Sequence, residues 1–228
     1  MHVPDGFIDA PVSLGAGVVA AAGIAVCLRG ARRELDDRTA PMAGLVAAFV
    51  FAVQMLNFPV AAGTSGHLLG GAMAAILVGP YTGALCVAVV LLVQGVFFAD
   101  GGLTALGVNI VDMSLVTVVV GYLVFRGLMK ILPHSEAGVV GSAFFAALVS
   151  VPVSALAFVG FYALGGTTDV SLGAVTAAMV GVHVLIGIGE AVITALTVGS
   201  IVAVRPDLVH GVKGSAPELE LRPSVVAA

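Results

Sequence analysis

Residues 67–98 read HLLGGAMAAILVGPYTGALCVAVVLLVQGVFF, an apolar run without one Asp, Glu, Lys or Arg. As a single helix it would extend ~48 Å at ~1.5 Å per residue, against a bilayer hydrocarbon core of ~30 Å. Gly79-Pro80 falls in its middle, and proline removes a helical donor and clashes with the preceding turn, so the run divides there. The first half is then short, which suits a helix that begins below the outer surface. The charge-free stretch is longer still, reaching from Thr39 to Ala99. No soluble helix has that composition; several membrane spans do.

The rest of the chain agrees. Of its 228 residues 60% are hydrophobic and only 10% charged, with a mean hydropathy of +1.16. A soluble domain of this length would carry far more surface charge. Runs bounded by Pro, Gly and charge predict helices over residues 11–29, 41–57, 67–79, 80–98, 103–131, 137–164 and 171–204. The positive-inside rule tests the division at Gly79-Pro80 independently. With seven spans and the N-terminus outside, Arg29, Arg32, Arg33 and Arg38 fall in the first inner loop. Arg126 and Lys130 then fall in the third, and Arg205, Lys213 and Arg222 in the C-terminal tail. Every Lys and Arg is cytoplasmic, whereas six spans would separate Arg126 and Lys130 from the first cluster.

The expectation is therefore an all-α, multi-pass integral protein of the plasma membrane. It has about seven transmembrane helices, the N-terminus outside and the C-terminus cytoplasmic. Residues 1–205 form one transmembrane domain, and 206–228, with three prolines and mixed charge, read as a mobile cytoplasmic tail. Small residues spaced as Gly66/Gly70 and Gly79/Gly83 favour close helix approach in lipid. Cys27 and Cys86 lie in separate apolar runs and read as packing residues. The N-terminus has no basic n-region, and Asp5 and Asp9 precede the first apolar run, so no cleaved leader is expected. His2 is too bulky for efficient removal of Met1.

This topology gathers polar residues at the outer end. His2 and Asp5 lie on the N-terminal segment, Asn57 ends the second helix, and Ser65 and His67 flank the next. Gln94 lies near the outer end of the fourth span, Asn109 and Asp112 near the outer start of the fifth. Polar groups at membrane depth are costly unless paired, so their convergence marks a candidate site.

Met1-His2 has a chemistry of its own. The terminal amine, the His2 amide nitrogen and imidazole Nδ1 can close a five-membered and then a six-membered chelate ring. Such a set favours a near-planar arrangement with one open position for another imidazole. Square-planar nitrogen ligation suits Ni²⁺ or Cu²⁺, and low-spin Co²⁺ less surely. His67 stands among glycines, Gly63-Thr64-Ser65-Gly66-His67-Leu68-Leu69-Gly70-Gly71, which would let other backbones approach its ring. Taken alone it reads more readily as a capping or hydrogen-bonded histidine at the interface.

Three stretches carry a resemblance. They are Met1-His2-Val3-Pro4-Asp5-Gly6-Phe7, Gly66-His67-Leu68-Leu69-Gly70-Gly71, and residues 98–109 (Phe98-Ala99-Asp100-Gly101-Gly102 through Asn109). Together they resemble the CbiM/NikM family over roughly residues 1–204. These proteins are the substrate-binding membrane components of energy-coupling factor transporters for cobalt and nickel. The resemblance implies that an added N-terminal helix carries the N-terminus into the helical core. It further implies that the Met1 amine, the His2 backbone nitrogen and imidazole, and the His67 imidazole ligate the metal. Asn57, Ser65, Gln94, Asn109 and Asp112 are left as supporting or substrate-path residues. Nickel and cobalt both remain open as the transported ion, and no resident cofactor is expected. The implied partners are a pair of ATPase subunits, a transmembrane coupling subunit and, in some systems, a small accessory membrane protein. The chain is not expected to power transport itself, because neither Lys130 nor Lys213 follows the glycine pattern that cradles nucleotide phosphates.

His183 and Glu190, seven apart on one face of the last helix, allow other functions. They could form a proton relay, an intramembrane hydrolase site with His67, or a coupling contact. The plainer reading is a polar clamp between helices, with Glu190 on the cytoplasmic side and away from the metal site. No serine or cysteine has a nucleophile motif. A simple ion channel would need polar lining through the full depth, and the third, fourth and sixth spans have apolar inner halves.

Overall fold

The computed structural model describes residues 1–37, 39–59 and 65–213. Arg38, Arg222 and the rest of the tail beyond Lys213 lie outside the described residues. The seven expected helices are all present: α1 (Ala10–Glu34), α2 (Thr39–Gln54), α3 (Gly71–Val78), α4 (Pro80–Phe97), α5 (Leu106–Leu128), α6 (Glu136–Gly165) and α7 (Leu172–Val204). Short polar side chains start three of them. Asp9, Ser135 and Ser171 accept from the N–H groups of Val12, Gly138 and Ala174, which satisfies first-turn donors. Asp36 and Thr39 cap α2 reciprocally, each side chain accepting the other's amide N–H at 2.7–2.8 Å.

Five helices (α1, α4, α5, α6 and α7) are long and apolar enough to cross a membrane, while α2 has 16 residues. Their outward faces carry Leu14, Val18, Leu45, Leu123 and Leu196, each at least 65% exposed. Gln54, Gln94, Asp112, His183 and Glu190 are buried. Apolar outside and polar inside is the distribution that a lipid solvent selects. The chain is a multi-pass membrane protein.

The break at Gly79-Pro80 is where the sequence puts it. Gly79 has φ +98° and stands against the Glu34 carboxylate, which accepts from Tyr81 N–H (3.2 Å) and Thr82 N–H (2.7 Å). Glu34 thereby neutralises the open N-terminus of α4. α3 is shorter than its expected 67–79 because residues 67–70 stay outside the helix. Their amide groups are taken by side chains from other helices, as described below. All eight residues of α3 are buried.

Two further differences have local causes. The fifth helix starts at Leu106 rather than 103 and widens to a π-helical turn over Ile110–Val116. There the Asp112 carbonyl is taken by Ser154 Oγ at 2.8 Å and the Met113 carbonyl by Thr117 Oγ1 at 2.6 Å. Side chains competing for these acceptors displace the ordinary helical ladder. Residues 206–213, expected as the start of a tail, are folded. Pro206–Leu208 and His210–Val212 form two 3₁₀ turns that bury Val209 and Val212, and Gly211 packs on Phe125 and Ile76. Burial of these valines ties residues 206–213 to the bundle.

Candidate metal centre

The N-terminal segment is threaded into the bundle rather than lying on it. Met1 and Val3 are fully buried, His2 is 4% exposed, and Phe7 and Ile8 are buried as well. An extended segment brings backbone groups inside, and each end of this one is met by partners. Val3 N–H donates to Asn109 Oδ1 (2.8 Å), and Asn109 Nδ2 and Gly102 N–H both donate to Val3 O (3.2 and 2.8 Å). Farther along, Thr167 N–H donates to Phe7 O (3.1 Å) and Asp9 N–H to Gly165 O (2.7 Å). Phe7 packs between Phe158 and Tyr162. The loop 98–105 can close over the segment only because it carries glycines. Gly101 has φ +95° and a Cβ there would meet Asn109 Nδ2 at 3.1 Å, while one on Gly102 would overlap the Asp5 backbone.

Threading delivers His2 to His67. The two rings stand 4.5 Å apart, centre to centre, with planes tilted by 42°. Each ring is fixed through Nδ1. His67 Nδ1 lies 2.7 Å from Leu68 O, and His2 Nδ1 lies 2.6 Å from Asp100 Oδ1. Both Nε2 atoms are buried and have no hydrogen-bond partner. Buried nitrogens are normally satisfied, so two bare ones side by side point to a ligand. Burial lowers the Met1 amine to about 5, against the pull of the Asp112 and Asp100 charges. Burial also lowers the His2 imidazole, opposed by its bond to Asp100. Nitrogens at the head of the chain thus hold lone pairs at neutral pH. Among the described residues no group of three or more His, Cys, Asp or Glu side chains is arranged to hold a metal.

The expected supporting residues separate by role. Asn109 anchors Val3 and points at no imidazole. Asn57 Nδ2 donates to Asp100 Oδ2 (3.3 Å), behind His2. Gln94 lies beside His2, with its Oε1 buried and unpartnered. Asp112 sits in the π turn, where Ser154 Oγ donates to its Oδ1 (2.9 Å), within electrostatic reach of the Met1 amine. For Ser65 the described part is its backbone, which pairs with Pro59.

Glu190 ties the last helix to the segment that follows His67: its carboxylate accepts from Leu69 N–H (2.5 Å) and Gly70 N–H (2.9 Å), two and three residues past His67. Gln54 Nε2 donates to Leu69 O (2.7 Å) from the other side. Together they fix the backbone of Leu69 and Gly70, and Glu190 is a clamp between α7 and this segment. His183 clamps nothing, since its Nδ1 binds the Met179 carbonyl of its own helix at 2.7 Å. Sequence reasoning missed Asp100 and Gln54 as parts of this centre. Asp100 was within reach, being the first acid after the charge-free stretch and lying inside a recognised motif.

Residues 2–208 match the family model described as the cobalt uptake substrate-specific transmembrane region. A candidate metal transport protein of Haloquadratum walsbyi is 41% identical over 209 residues, covering 92% of this chain and 93% of that one. A cobalt transport protein of Sorangium cellulosum is 33% identical over 216 residues, covering 91% and 94%. A crystal structure of a truncated transition metal transporter aligns with a TM-score of 0.82 and 27% identity, over 89% of this chain and 99% of that one.

Proposed function

The chain belongs to the family of cobalt-uptake substrate-specific transmembrane regions, and from that premise we propose that it captures Ni²⁺ or Co²⁺ from outside the cell. The family is a component of metal transport and not an enzyme. In this reading the Met1 amine, the His2 amide nitrogen and imidazole Nδ1 form the chelate, and His67 Nε2 fills the fourth position. The observation that carries it is the pair of buried imidazoles, 4.5 Å apart, with bare Nε2 atoms beside a buried terminal amine. An all-nitrogen planar set favours Ni²⁺ and low-spin Co²⁺ over Mg²⁺ or Ca²⁺, which prefer oxygen ligands.

Loading requires one rearrangement. His2 Nδ1 now faces Asp100, so the ring must turn about its Cβ–Cγ bond before Nδ1 can join the chelate. The ion cannot then diffuse straight through. Met73, Ile76 and Leu77 of α3, at most 2% exposed, fill the bundle beyond His67. A closed interior favours a carrier over a channel. Movement of the helices needs an energy source that this chain lacks, so the reading includes a separate ATPase pair and a transmembrane coupling subunit. Titration of the purified protein with Ni²⁺, Co²⁺, Cu²⁺ and Zn²⁺ is the test, joined to uptake by cells with and without the ATPase. Tight one-to-one binding of Ni²⁺ or Co²⁺ and ATP-dependent uptake are expected. Absence of tight binding, or uptake without the ATPase, would refute it.

A further inference from the structure

His183 is buried completely, and its Nε2 has no hydrogen-bond partner. Its Nδ1 is tied to a backbone carbonyl, Met179 O at 2.7 Å, as His67 Nδ1 is tied to Leu68 O. One nitrogen fixed by a carbonyl and the other left bare is how proteins present an imidazole to a metal ion. The two histidines therefore share one arrangement.

They also share one depth. Glu190 binds the amides of Leu69 and Gly70, which fixes where α7 meets the extended segment. Back along α7, the seven residues to His183 rise about 10.5 Å. Back along the segment, the two or three residues to His67 cover at most about 7–10 Å. Both steps lead toward the end where the 165–167 loop pairs with residues 7–9. His183 consequently lies on the same side of Glu190 as the first site.

No third side-chain ligand joins His2 and His67 in this arrangement among the described residues, so His183 is not part of the outer set. We propose that His183 Nε2 is a second station for the transported divalent cation, taking it from His67 on its inward path. The proposal rests on the outer site described above. A borderline cation such as Ni²⁺ or Co²⁺ exchanges between imidazoles without change of ligand type. A merely structural histidine would use its outer nitrogen to bridge helices, and this one leaves it bare.

The experiment uses two variants, His183→Asn and His183→Ala, in the complete transporter and in the purified chain. Asn keeps a donor for the Met179 carbonyl. Uptake should fall about tenfold or more in both, while Ni²⁺ affinity of the purified chain stays at the parental value, which also reports an intact fold. In His2→Ala protein, a weaker Co²⁺ site with an imidazole-nitrogen signature in its spectrum should remain and disappear in the His2→Ala/His183→Asn double variant. Parental uptake by both variants would overturn the second station. So would loss of outer-site affinity in both, because His183 would then be a support of the first site. If the parent itself fails to bind Ni²⁺ tightly, it is the outer-site reading that falls.

Discussion

His2 Nδ1 and Asp100 Oδ1 are 2.6 Å apart, so the imidazole that begins the chain is held by a carboxylate almost a hundred residues later. Asn57, three residues past the end of α2, reaches the other oxygen of the same carboxylate, which links the chain after α2, the N-terminal segment and the 98–102 loop at one point. In the metal-free protein the shared proton belongs on Nδ1 and the lone pair on Nε2. The proposed chelate needs the reverse. Histidine-labelled ¹⁵N spectra should show Nδ1 protonated in His2 before Ni²⁺ is added and metal-bound afterwards, readable because square-planar Ni²⁺ is diamagnetic. Ligation through Nε2 with Nδ1 still protonated would replace the chelate by a carboxylate–histidine–metal relay.

Asn109 makes a different prediction. It pairs with both the amide N–H and the carbonyl of Val3, as a neighbouring strand would. Asn109→Ala leaves these buried groups short of partners, at a cost of ~1–3 kcal/mol, and should weaken Ni²⁺ binding about 10–100-fold. Asn109→Asp can still accept from Val3 N–H but sets a carboxylate against Val3 O, so it should not rescue the loss. Parental affinity in both variants, measured by calorimetry, would mean that Gly102 and the rest of the segment suffice to seat His2.

Much of this architecture was readable in the sequence, for reasons that can be traced to single residues. The uncharged run and Gly79-Pro80 decide the helix count, because lipid leaves the chain few other solutions. Side-chain partners at a distance were not readable. That Glu190 would cap residues 69–70, or Glu34 the start of α4, depends on which helices pack together, and no local pattern encodes it. The same is true of residues 206–213, whose polarity suggests a tail while Val209 and Val212 find a groove. His2 and His67 could be paired by resemblance alone; their bare Nε2 atoms needed the three-dimensional arrangement.

Orientation is tested without touching the site. Cys27 and Cys86 are buried, so an impermeant maleimide should find only an introduced thiol. Asp169 lies exposed in the α6–α7 loop, at the same end as the N-terminal segment. Asp169→Cys should be labelled from outside intact cells, and Lys213→Cys only after permeabilisation. A reporter fused after Ala228 should be cytoplasmic. The opposite pattern would invert the topology and place the metal centre on the inner face.

The sharpest test concerns the terminal amine, which no side-chain substitution removes. Inserting one Ala between Met1 and His2 keeps every side chain but puts an extra peptide unit between amine and imidazole. The chelate rings can no longer close with His67 in the remaining position. An N-terminal tag or acetylation removes the amine's lone pair outright, and Met1 is fully buried, so added atoms have no room in the present arrangement. Tag and acetylation should abolish tight Ni²⁺ binding as completely as His2→Ala or His67→Ala, with α-helical content and detergent melting retained. In the insertion variant the second amide nitrogen fills the fourth planar position, so any tight Ni²⁺ binding should no longer depend on His67. Proton release adds an independent reading. The amide must lose its proton at any pH, whereas the amine, lowered by burial to about 5, is already neutral at pH 7. Binding near pH 7 should therefore release about one proton, rising as the pH falls toward 5, and affinity should weaken along the same course. A solvated amine of ordinary pKa, ~8, would release about two protons at pH 7. Calorimetry in buffers of different ionisation enthalpy distinguishes these counts. If an extended protein binds and transports the ion like the parent, the amine is no ligand, and His2 and His67 bind metal by themselves or not at all.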